Sequence, residues 1–187
     1  MAIQDSHNKD RPAGGLDFET LVRTHHASLF RFAVSLTHQE HDAADLVQET
    51  FHRWAVKGHT LHDLTKVKAW LFTTLHRLFL EGARRSTRFP HVEVSSVVDD
   101  LPPVDAVTVE AVDAAALPGL MAQLDPGFRS AVALFYLEDY SYPEIAEILG
   151  VPLGTVKSRI ARGLAQLKHL LRHEIVARSS ATGEGPP

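Results

Sequence analysis

Five polar side chains near the carboxyl end have the residue types and spacing of a surface that binds phosphates and base edges. They lie on a segment whose apolar residues recur every three or four positions, as in one buried helical stripe. From 153 to 172 there are two Lys, three Arg and no acid, a local charge of +5 in a chain whose net charge is −4. A cationic face on one helix is typical of proteins that bind nucleic acid, although a solvated helix face can have the same charge pattern. The five residues are Thr155, Lys157, Ser158, Arg159 and Arg162.

A second, shorter helix must precede this one to hold it in place. Ser141 and Glu144 form the pattern of a capping box, which predicts a helix start. Gly150 follows the last apolar residue of that helix, where a left-handed backbone can end it, and Pro152 prevents simple continuation. The segment 141–171 is therefore predicted to be a helix-turn-helix.

The run Glu-Ile-Ala-Glu-Ile-Leu-Gly-Val-Pro-Leu-Gly-Thr-Val-Lys-Ser-Arg at 144–159 resembles the fourth conserved region of the extracytoplasmic-function (ECF) sigma factors of bacterial RNA polymerase. In that family the second helix enters the major groove of the minus-thirty-five promoter element. The resemblance implies DNA contacts from Thr155, Lys157, Ser158, Arg159 and Arg162. Similar helix-turn-helices occur in two-component response regulators, so this half of the chain leaves the family open.

An acidic patch is predicted on an earlier helix, from about His41 to Val56. Asp45, Gln48 and Glu49 follow at three and four spacing and so share one face. Such a patch can be a solvated face and nothing more. The run Asp-Leu-Val-Gln-Glu-Thr-Phe at 45–51, however, is similar to the second conserved region of ECF sigma factors. The resemblance implies docking of this patch on the clamp helices of the largest polymerase subunit.

A third helix, predicted from about Lys66 to Arg85, carries a second set of basic side chains beside an apolar face. Its sequence resembles the family helix that opens and reads the minus-ten element as single-stranded DNA. Arg77 stands where the family usually has Asn, Glu81 where it has Asp, and Thr73 where a basic residue is common. Arg cannot accept a hydrogen bond, so the base preference at this element stays open. The resemblance implies DNA contacts from Lys66, Lys68, His76, Arg77, Arg84 and Arg85.

An acidic segment separates the two resembling regions. Between residues 89 and 128 there is no Lys or Arg, whereas Asp and Glu accumulate among several prolines. This composition predicts a flexible linker over 90–106. Such a segment can be a plain spacer and nothing more. In the family that the two regions resemble, the corresponding linker lies along the polymerase active-site and RNA-exit channel.

Composition excludes several other classes of protein. Cysteine is absent, which fits a reducing cytoplasm and removes thiolate metal sites, and no apolar run reaches the length of a bilayer span. The 12 histidines lack a His-Glu-x-x-His pattern, so neither a metal nor another cofactor is expected. No phosphate-binding glycine loop or nucleophile elbow is present, and the chain is not expected to be an enzyme.

The sequence therefore predicts an all-α protein of two small helical domains joined by an acidic flexible linker, the second containing the helix-turn-helix. The expected ranges are a disordered tail at 1–15, a sigma-two domain at 16–89, the linker at 90–106, a sigma-four domain at 107–173 and a disordered tail at 174–187.

By resemblance the chain is a cytoplasmic ECF-type sigma factor that directs promoter-specific initiation without inserting into a membrane. Its implied partners are promoter DNA, core RNA polymerase through the clamp helices and the flap of the second subunit, and an anti-sigma factor. Two alternatives remain open at this point. One is a sigma-like decoy or adaptor that binds an anti-sigma factor without initiating transcription, and the other is a stand-alone helix-turn-helix repressor.

Overall fold

The predicted all-α class is confirmed by a computed structural model, which describes residues 17–85 and 117–181. No β-strand occurs within these two ranges. Two single 3-10 turns, at Gly58–Thr60 and Leu64–Lys66, occupy the predicted loop between the second and third helices. The part of the chain that the structure describes contains seven α-helices, which are α1 (Phe18–Thr37), α2 (Glu40–Lys57), α3 (Val67–Arg85), α4 (Leu117–Ala122), α5 (Pro126–Tyr136), α6 (Tyr142–Leu149) and α7 (Leu153–Ala181).

The helix boundaries follow local capping chemistry. The Asp17 carboxylate accepts a hydrogen bond from the Thr20 N–H at the start of α1. Asp125 does the same for the Gly127 N–H at the start of α5, at 2.7 Å, with Pro126 in the first turn. These side chains satisfy backbone donors that the first turn of a helix leaves without partners.

Helix α6 begins and ends at the residues that the sequence predicted. The Ser141 N–H donates to the Glu144 carboxylate at 2.8 Å, and the Ser141 hydroxyl donates to the same oxygen at 2.6 Å. Gly150 ends α6 with φ of 66°, the left-handed region that glycine enters without steric cost. The reversal orients α7 relative to α6.

Helix α7 is longer than the sequence predicted. It continues to Ala181, through the first part of the expected disordered tail at 174–187. The physical reason is that 174–181 contains no Gly or Pro, the residues that most strongly end helices, and the next glycine is Gly183.

Helices α1, α2 and α3 pack together as an amino-terminal unit. The rings of Phe32 and Phe72 lie 5.3 Å apart between α1 and α3, and both side chains are fully buried. Trp54 of α2 meets Trp70 of α3 edge to face at 5.2 Å. These contacts place the acidic face of α2 beside the outer face of α3.

Helices α4 to α7 form the carboxy-terminal unit, which holds the helix-turn-helix. The buried Arg129 side chain donates to the backbone carbonyl oxygens of Met121, Ala122 and Leu124. It thereby gives hydrogen-bond partners to carbonyls at the end of α4 and in the turn that follows, where the helix offers none. Its burial lowers the pKa of Arg129.

The two units are not separate bodies, because their buried side chains form one continuous apolar core. Helix α3 packs against α6, and α1 packs against α4 and α5. The sequence contained no sign of this contact. The predicted linker at 90–106 lies outside the described residues.

Close packing of α5 against α7 depends on Gly163. A Cβ atom at this position would lie 2.5 Å from Val132 Cγ2 and 3.2 Å from Phe128 Cβ. This overpacking should lower the free energy of unfolding by about 1–3 kcal/mol, whereas the better helix propensity of Ala should raise it by up to about 1 kcal/mol. We expect Gly163→Ala to lower the free energy of unfolding by about 1–2 kcal/mol, measured by urea denaturation.

Gly154→Ala is the matched control in the same helix. A Cβ at Gly154 would meet nothing within 4 Å, so this substitution should leave stability unchanged or raise it. Equal effects of the two substitutions would show that α5 and α7 do not approach as closely as described.

Candidate nucleic-acid interface and acidic groove

The first turns of α7 present most of the predicted DNA-contacting residues to solvent. Lys157 is exposed, and Thr155, Ser158 and Arg162 are half-exposed. The Ser158 hydroxyl donates to the Thr155 carbonyl at 3.0 Å, which keeps it close to the helix surface. The opposite side of the helix buries Val156 and Ile160 in the core. This face can bring a cation and two hydroxyls to a phosphate backbone or a groove.

Arg159 is placed differently from its neighbours on α7. Its Nε atom is buried and has no hydrogen-bond partner among the described residues. Burial lowers the pKa of Arg159, because a charged guanidinium loses hydration there. The residue as a whole is half-exposed, like Arg162, so only part of its side chain is withdrawn from solvent.

The predicted minus-ten residues on and before α3 divide into two groups. Lys66, Arg77, Arg84 and Arg85 are exposed. Arg77 and Arg84 are seven positions apart, so they lie within about 20° on one helix face. Arg85 instead turns towards Glu81, with 3.9 Å between its guanidinium and the carboxylate. The exposed cationic stripe of α3 therefore consists of Arg77 and Arg84.

Lys68 and His76 form the second group, and both are less exposed to solvent than the first group. The Lys68 ammonium donates to the Glu138 carbonyl at 3.2 Å and lies 4.5 Å from the centroid of the Tyr140 ring. His76 is 7% exposed. Burial, together with the charges of Arg159 and Arg77, lowers the pKa of His76 to about 4. His76 is therefore buried, whereas Lys68 is half-exposed and is held by the carboxy-terminal unit.

An acidic groove lies between α2 and α3 and contains two of the three predicted polymerase-binding residues. It has a volume of about 350 Å³. Asp45 and Glu49 line it, and Gln48 is exposed nearby on α2. The carboxylate-bearing residues of the acidic groove are Asp42, Asp45, Glu49 and Glu81, and its bases are Arg53 and Arg85.

The carboxylates of the acidic groove are only partly neutralised. Glu49 accepts from Arg53 Nε at 2.7 Å, whereas the Asp45 carboxylate lies 3.8 Å from His41 and its side chain is 67% exposed. Exposed pairs of this kind contribute little to stability. Asp45 therefore remains available to a cationic partner.

Sequence reasoning missed part of this surface. Asp42 lies one helical turn before Asp45, and its spacing would have identified it. Glu81 comes from α3, and only the packing of α3 on α2 brings it into the acidic groove. Beyond Asp42 and Leu46 the surface continues as a more apolar hollow of about 420 Å³, lined by Leu36, Leu78 and Phe79 among others. A polar rim beside an apolar floor is typical of protein-binding surfaces.

Within 17–85 and 117–181 no three His, Asp or Glu side chains are grouped so that they could share a metal ion. None of the helices in the same ranges combines the length and apolar character needed to cross a bilayer.

Two family descriptions match the chain, in the order predicted. Residues 21–89 match "Sigma-70 region 2", which covers α1, α2 and α3. Residues 114–167 match "Sigma-70, region 4", which covers α4 to α6 and the first half of α7.

Individual relatives agree with this assignment. The chain is 36% identical over 169 residues to "ECF RNA polymerase sigma factor SigE" of Mycolicibacterium smegmatis, covering 88% of this chain and 65% of the relative. It is 32% identical over 150 residues to "ECF RNA polymerase sigma factor SigM" of Bacillus subtilis, covering 76% and 87%. The chain thus spans just under two thirds of the first relative and most of the second.

Solved structures give the same result for the fold. The sigma factor RpoE in complex with the anti-sigma factor NepR from Bartonella quintana matches with a TM-score of 0.66 and 29% identity, over 83% of this chain and 97% of that one. CnrH in complex with the cytosolic domain of CnrY matches with a TM-score of 0.59 and 25% identity, over 83% and 88%. Both similarities extend over most of the chain.

The burial of His76 has a consequence for acid stability. Its folded pKa of about 4 is below the ordinary value of 6.5, so between these pH values the unfolded chain binds a proton that the folded chain does not. The His76 contribution to the free energy of unfolding should therefore decrease by about 3 kcal/mol as the pH falls from 6.5 to 4. We expect the free energy of unfolding of wild type to decrease by that amount relative to His76→Gln, measured by urea denaturation between pH 6.5 and 4.

The difference between the unfolding free energies of wild type and His76→Gln contains no contribution from titratable groups that the two proteins share. Above pH 7 both side chains are neutral, so the stability difference should be constant there. A difference that is constant down to pH 4 as well would contradict the burial of a neutral imidazole at this position.

Proposed function

Because the chain belongs to the extracytoplasmic-function family of RNA polymerase sigma factors, we propose that it binds core RNA polymerase and directs transcription from specific promoters. The observation that carries this proposal is that one chain holds an accessible acidic groove and a cationic helix-turn-helix on two different units. A repressor would need only the second of these features. A decoy without promoter function would not need the cationic face of α7.

The acidic groove is the proposed docking surface for the polymerase clamp helices. Asp45, Gln48 and Glu49 lie on the exposed face of α2, and Asp42 and Glu81 extend the negative surface. Opposite potentials steer association and select the correct partner, more than they add to affinity. The adjoining apolar hollow would supply the buried area that charged side chains cannot.

Promoter recognition is assigned to α7 and α3. Lys157 and Arg162, with Thr155 and Ser158, would enter the major groove of the minus-thirty-five element as the recognition helix. Arg77 and Arg84 would follow the backbone of the opened minus-ten strand. The chemistry of RNA synthesis belongs to the polymerase, so this chain acts as a specificity subunit and not as a catalyst.

Two further roles follow from the same proposal. We place the protein in the cytoplasm, where core polymerase works. We also propose an anti-sigma factor as a partner, since the similar sigma factor RpoE was solved in complex with the anti-sigma factor NepR. The linker at 90–106 is proposed to run through the polymerase channel, and it lies outside the described residues.

In vitro initiation tests the proposal directly. Core polymerase should produce transcripts with defined start sites from a genomic promoter library only when this protein is added. Association with core polymerase without any initiation would favour the decoy, and no association at low salt would refute the assignment.

Charge reversal in the acidic groove should disrupt polymerase docking. We expect the double variant Asp45→Lys, Glu49→Lys to bind core polymerase at least about ten-fold more weakly than wild type, because like charges would then meet across the interface. The measurement is a titration of labelled protein with core enzyme. Glu19→Lys, which reverses one exposed charge at the start of α1, should bind as wild type does. An equal loss of affinity in Glu19→Lys would show that net charge alone causes the effect.

Substitutions on α7 should separate base reading from phosphate contact. If Arg162 reads a base, Arg162→Ala should cost about 1–3 kcal/mol and relax the choice of sequence. Lys157→Ala should weaken binding to all DNA sequences alike, and it should lower the slope of log affinity against log salt by about one. Both are measured by titrating holoenzyme against promoter variants.

Lys168→Ala is the matched control, because it removes an exposed lysine from the same helix about 16 Å beyond Lys157. It should change neither the specificity nor the salt slope. If Arg162→Ala and Lys157→Ala also change neither, α7 does not contact DNA through these side chains.

A further inference from the structure

Two histidines on the outer side of α7 lie close enough to hold one ion between them. His169 and His173 are one helical turn apart, and both are exposed. Their Nε2 atoms are 3.2 Å apart. They lie on the helix face opposite the buried Val156, Ile160 and Leu164. The pair is therefore open to ions in solution.

The separation of the two nitrogen atoms matches the distance between two ligands of one tetrahedral metal ion. Zinc–imidazole bonds are about 2.0–2.1 Å long, so nitrogens 3.2 Å apart would subtend an angle of about 100° at the ion, near the tetrahedral value. The ring centroids are 4.5 Å apart. Lone pairs of both rings aimed at one ion at that angle need a centroid separation of about 5 Å. A small rotation of the side chains therefore completes the chelate.

Two pairs on α2 show that a histidine one turn from a possible ligand does not by itself give this geometry. His41 and Asp45 approach to 3.8 Å, as do His52 and Glu49. With bonds of about 2.0–2.1 Å, that separation would require an angle of about 135° at the ion, far from tetrahedral. Of these three pairs, the one on α7 has the spacing that a tetrahedral ion needs.

The donor atoms select a class of ion. Neutral imidazole nitrogens bind borderline divalent ions such as Zn²⁺, Ni²⁺ and Cu²⁺, whereas Mg²⁺ and Ca²⁺ prefer oxygen ligands. Within the described residues no third His, Asp or Glu joins the pair, so water would fill the remaining coordination positions. The exposed Lys168 and Arg172 beside the pair oppose a cation by their charge. These features indicate an exchangeable ion and not a closed structural site.

An ion held by both rings would tie successive turns of α7 together where the core ends. Among the described residues, Leu167 is the last buried side chain of α7, and Leu170 and Leu171 are partly buried against the core. The helix nevertheless continues to Ala181. Turns near the end of a helix open more readily than turns packed on a core. A cross-link between adjacent turns should therefore make such opening rarer.

The pair is separate from the proposed DNA-contacting turns of α7. His169 lies about 18 Å along the helix axis beyond Lys157 and about 10 Å beyond Arg162. An ion at this position would therefore not occupy the proposed DNA surface. Its binding requires neither DNA nor polymerase.

We propose that His169 and His173 form a binding site for one divalent transition-metal ion of the Zn²⁺ class, and that the bound ion stabilises the carboxy-terminal turns of α7. Each ring ligates through Nε2, which places the remaining ring proton on Nδ1. The unfolded chain holds the two imidazoles at no fixed separation, so the ion favours the helical form.

Isothermal titration calorimetry with zinc chloride tests the site on the full-length chain, prepared without a histidine tag. We expect the tightest site to take up one ion per chain. His169→Gln and His173→Gln should each weaken this affinity at least about ten-fold, because each leaves a single imidazole. Both positions are exposed and Gln is a good helix former, so the variants should fold, which circular dichroism checks.

His41→Gln is the matched control, because it removes an exposed imidazole that also lies one turn from a possible ligand, Asp45. It should bind Zn²⁺ as wild type does. An equal loss in all three variants, or no binding to wild type at millimolar Zn²⁺, would overturn the site. One ion per two chains would overturn it in favour of a site shared by two copies.

Hydrogen exchange of the α7 amides tests the stabilising role of the ion. At a free-ion concentration ten times the dissociation constant, exchange at 169–177 should slow about ten-fold, because opening of these turns releases the ion. Exchange at 153–160 should not change, and neither magnesium chloride with wild type nor Zn²⁺ with His169→Gln should reproduce the effect. Ion binding without slower exchange would overturn the stabilising role.

Discussion

The arrangement of this protein depends on how one short segment is buried. The residues between α5 and α6 insert Glu138 and Tyr140 between α1 and α3, and the carboxylate is held there by Arg31 while Lys68 bonds the Glu138 backbone carbonyl. Because Phe72 belongs to the core of the amino-terminal unit and also packs on Tyr140, the two units share one apolar interior. Removing that segment would expose apolar surface on both units at once.

The proposed function depends on the separation of opposite charges along a chain that is nearly neutral for its size. The net charge is −4, yet carboxylates collect in the groove between α2 and α3, and cations collect on α7 and on one stripe of α3. Each surface has a different electrostatic complement, one a basic protein surface and the other a phosphate backbone. A single molecule can therefore connect a protein partner to DNA without its two surfaces neutralising each other.

Local features of the sequence predicted most of the helices correctly. The apolar period, the capping box of Ser141 and Glu144 and the turn at Gly150 all act within a few residues, and each was visible without tertiary information. The acidic face of α2 was predicted for the same reason. The end of α7 was predicted too early, because a polar composition was read as disorder where no helix-breaking residue stood before Gly183.

By itself the sequence determined the all-α class, the helix-turn-helix, and which faces of α2, α3 and α7 carry charge, because helical periodicity places residues on faces. Only the tertiary structure decided which of those charges remain accessible. Lys68, His76 and Arg159 looked equivalent to Arg77, Arg84 and Lys157. In the fold His76 is buried, Lys68 bonds the Glu138 carbonyl, and the Nε atom of Arg159 is withdrawn from solvent. Glu81 joined the acidic groove for the same reason, since packing brings together side chains whose separation along the chain contains no spacing signal.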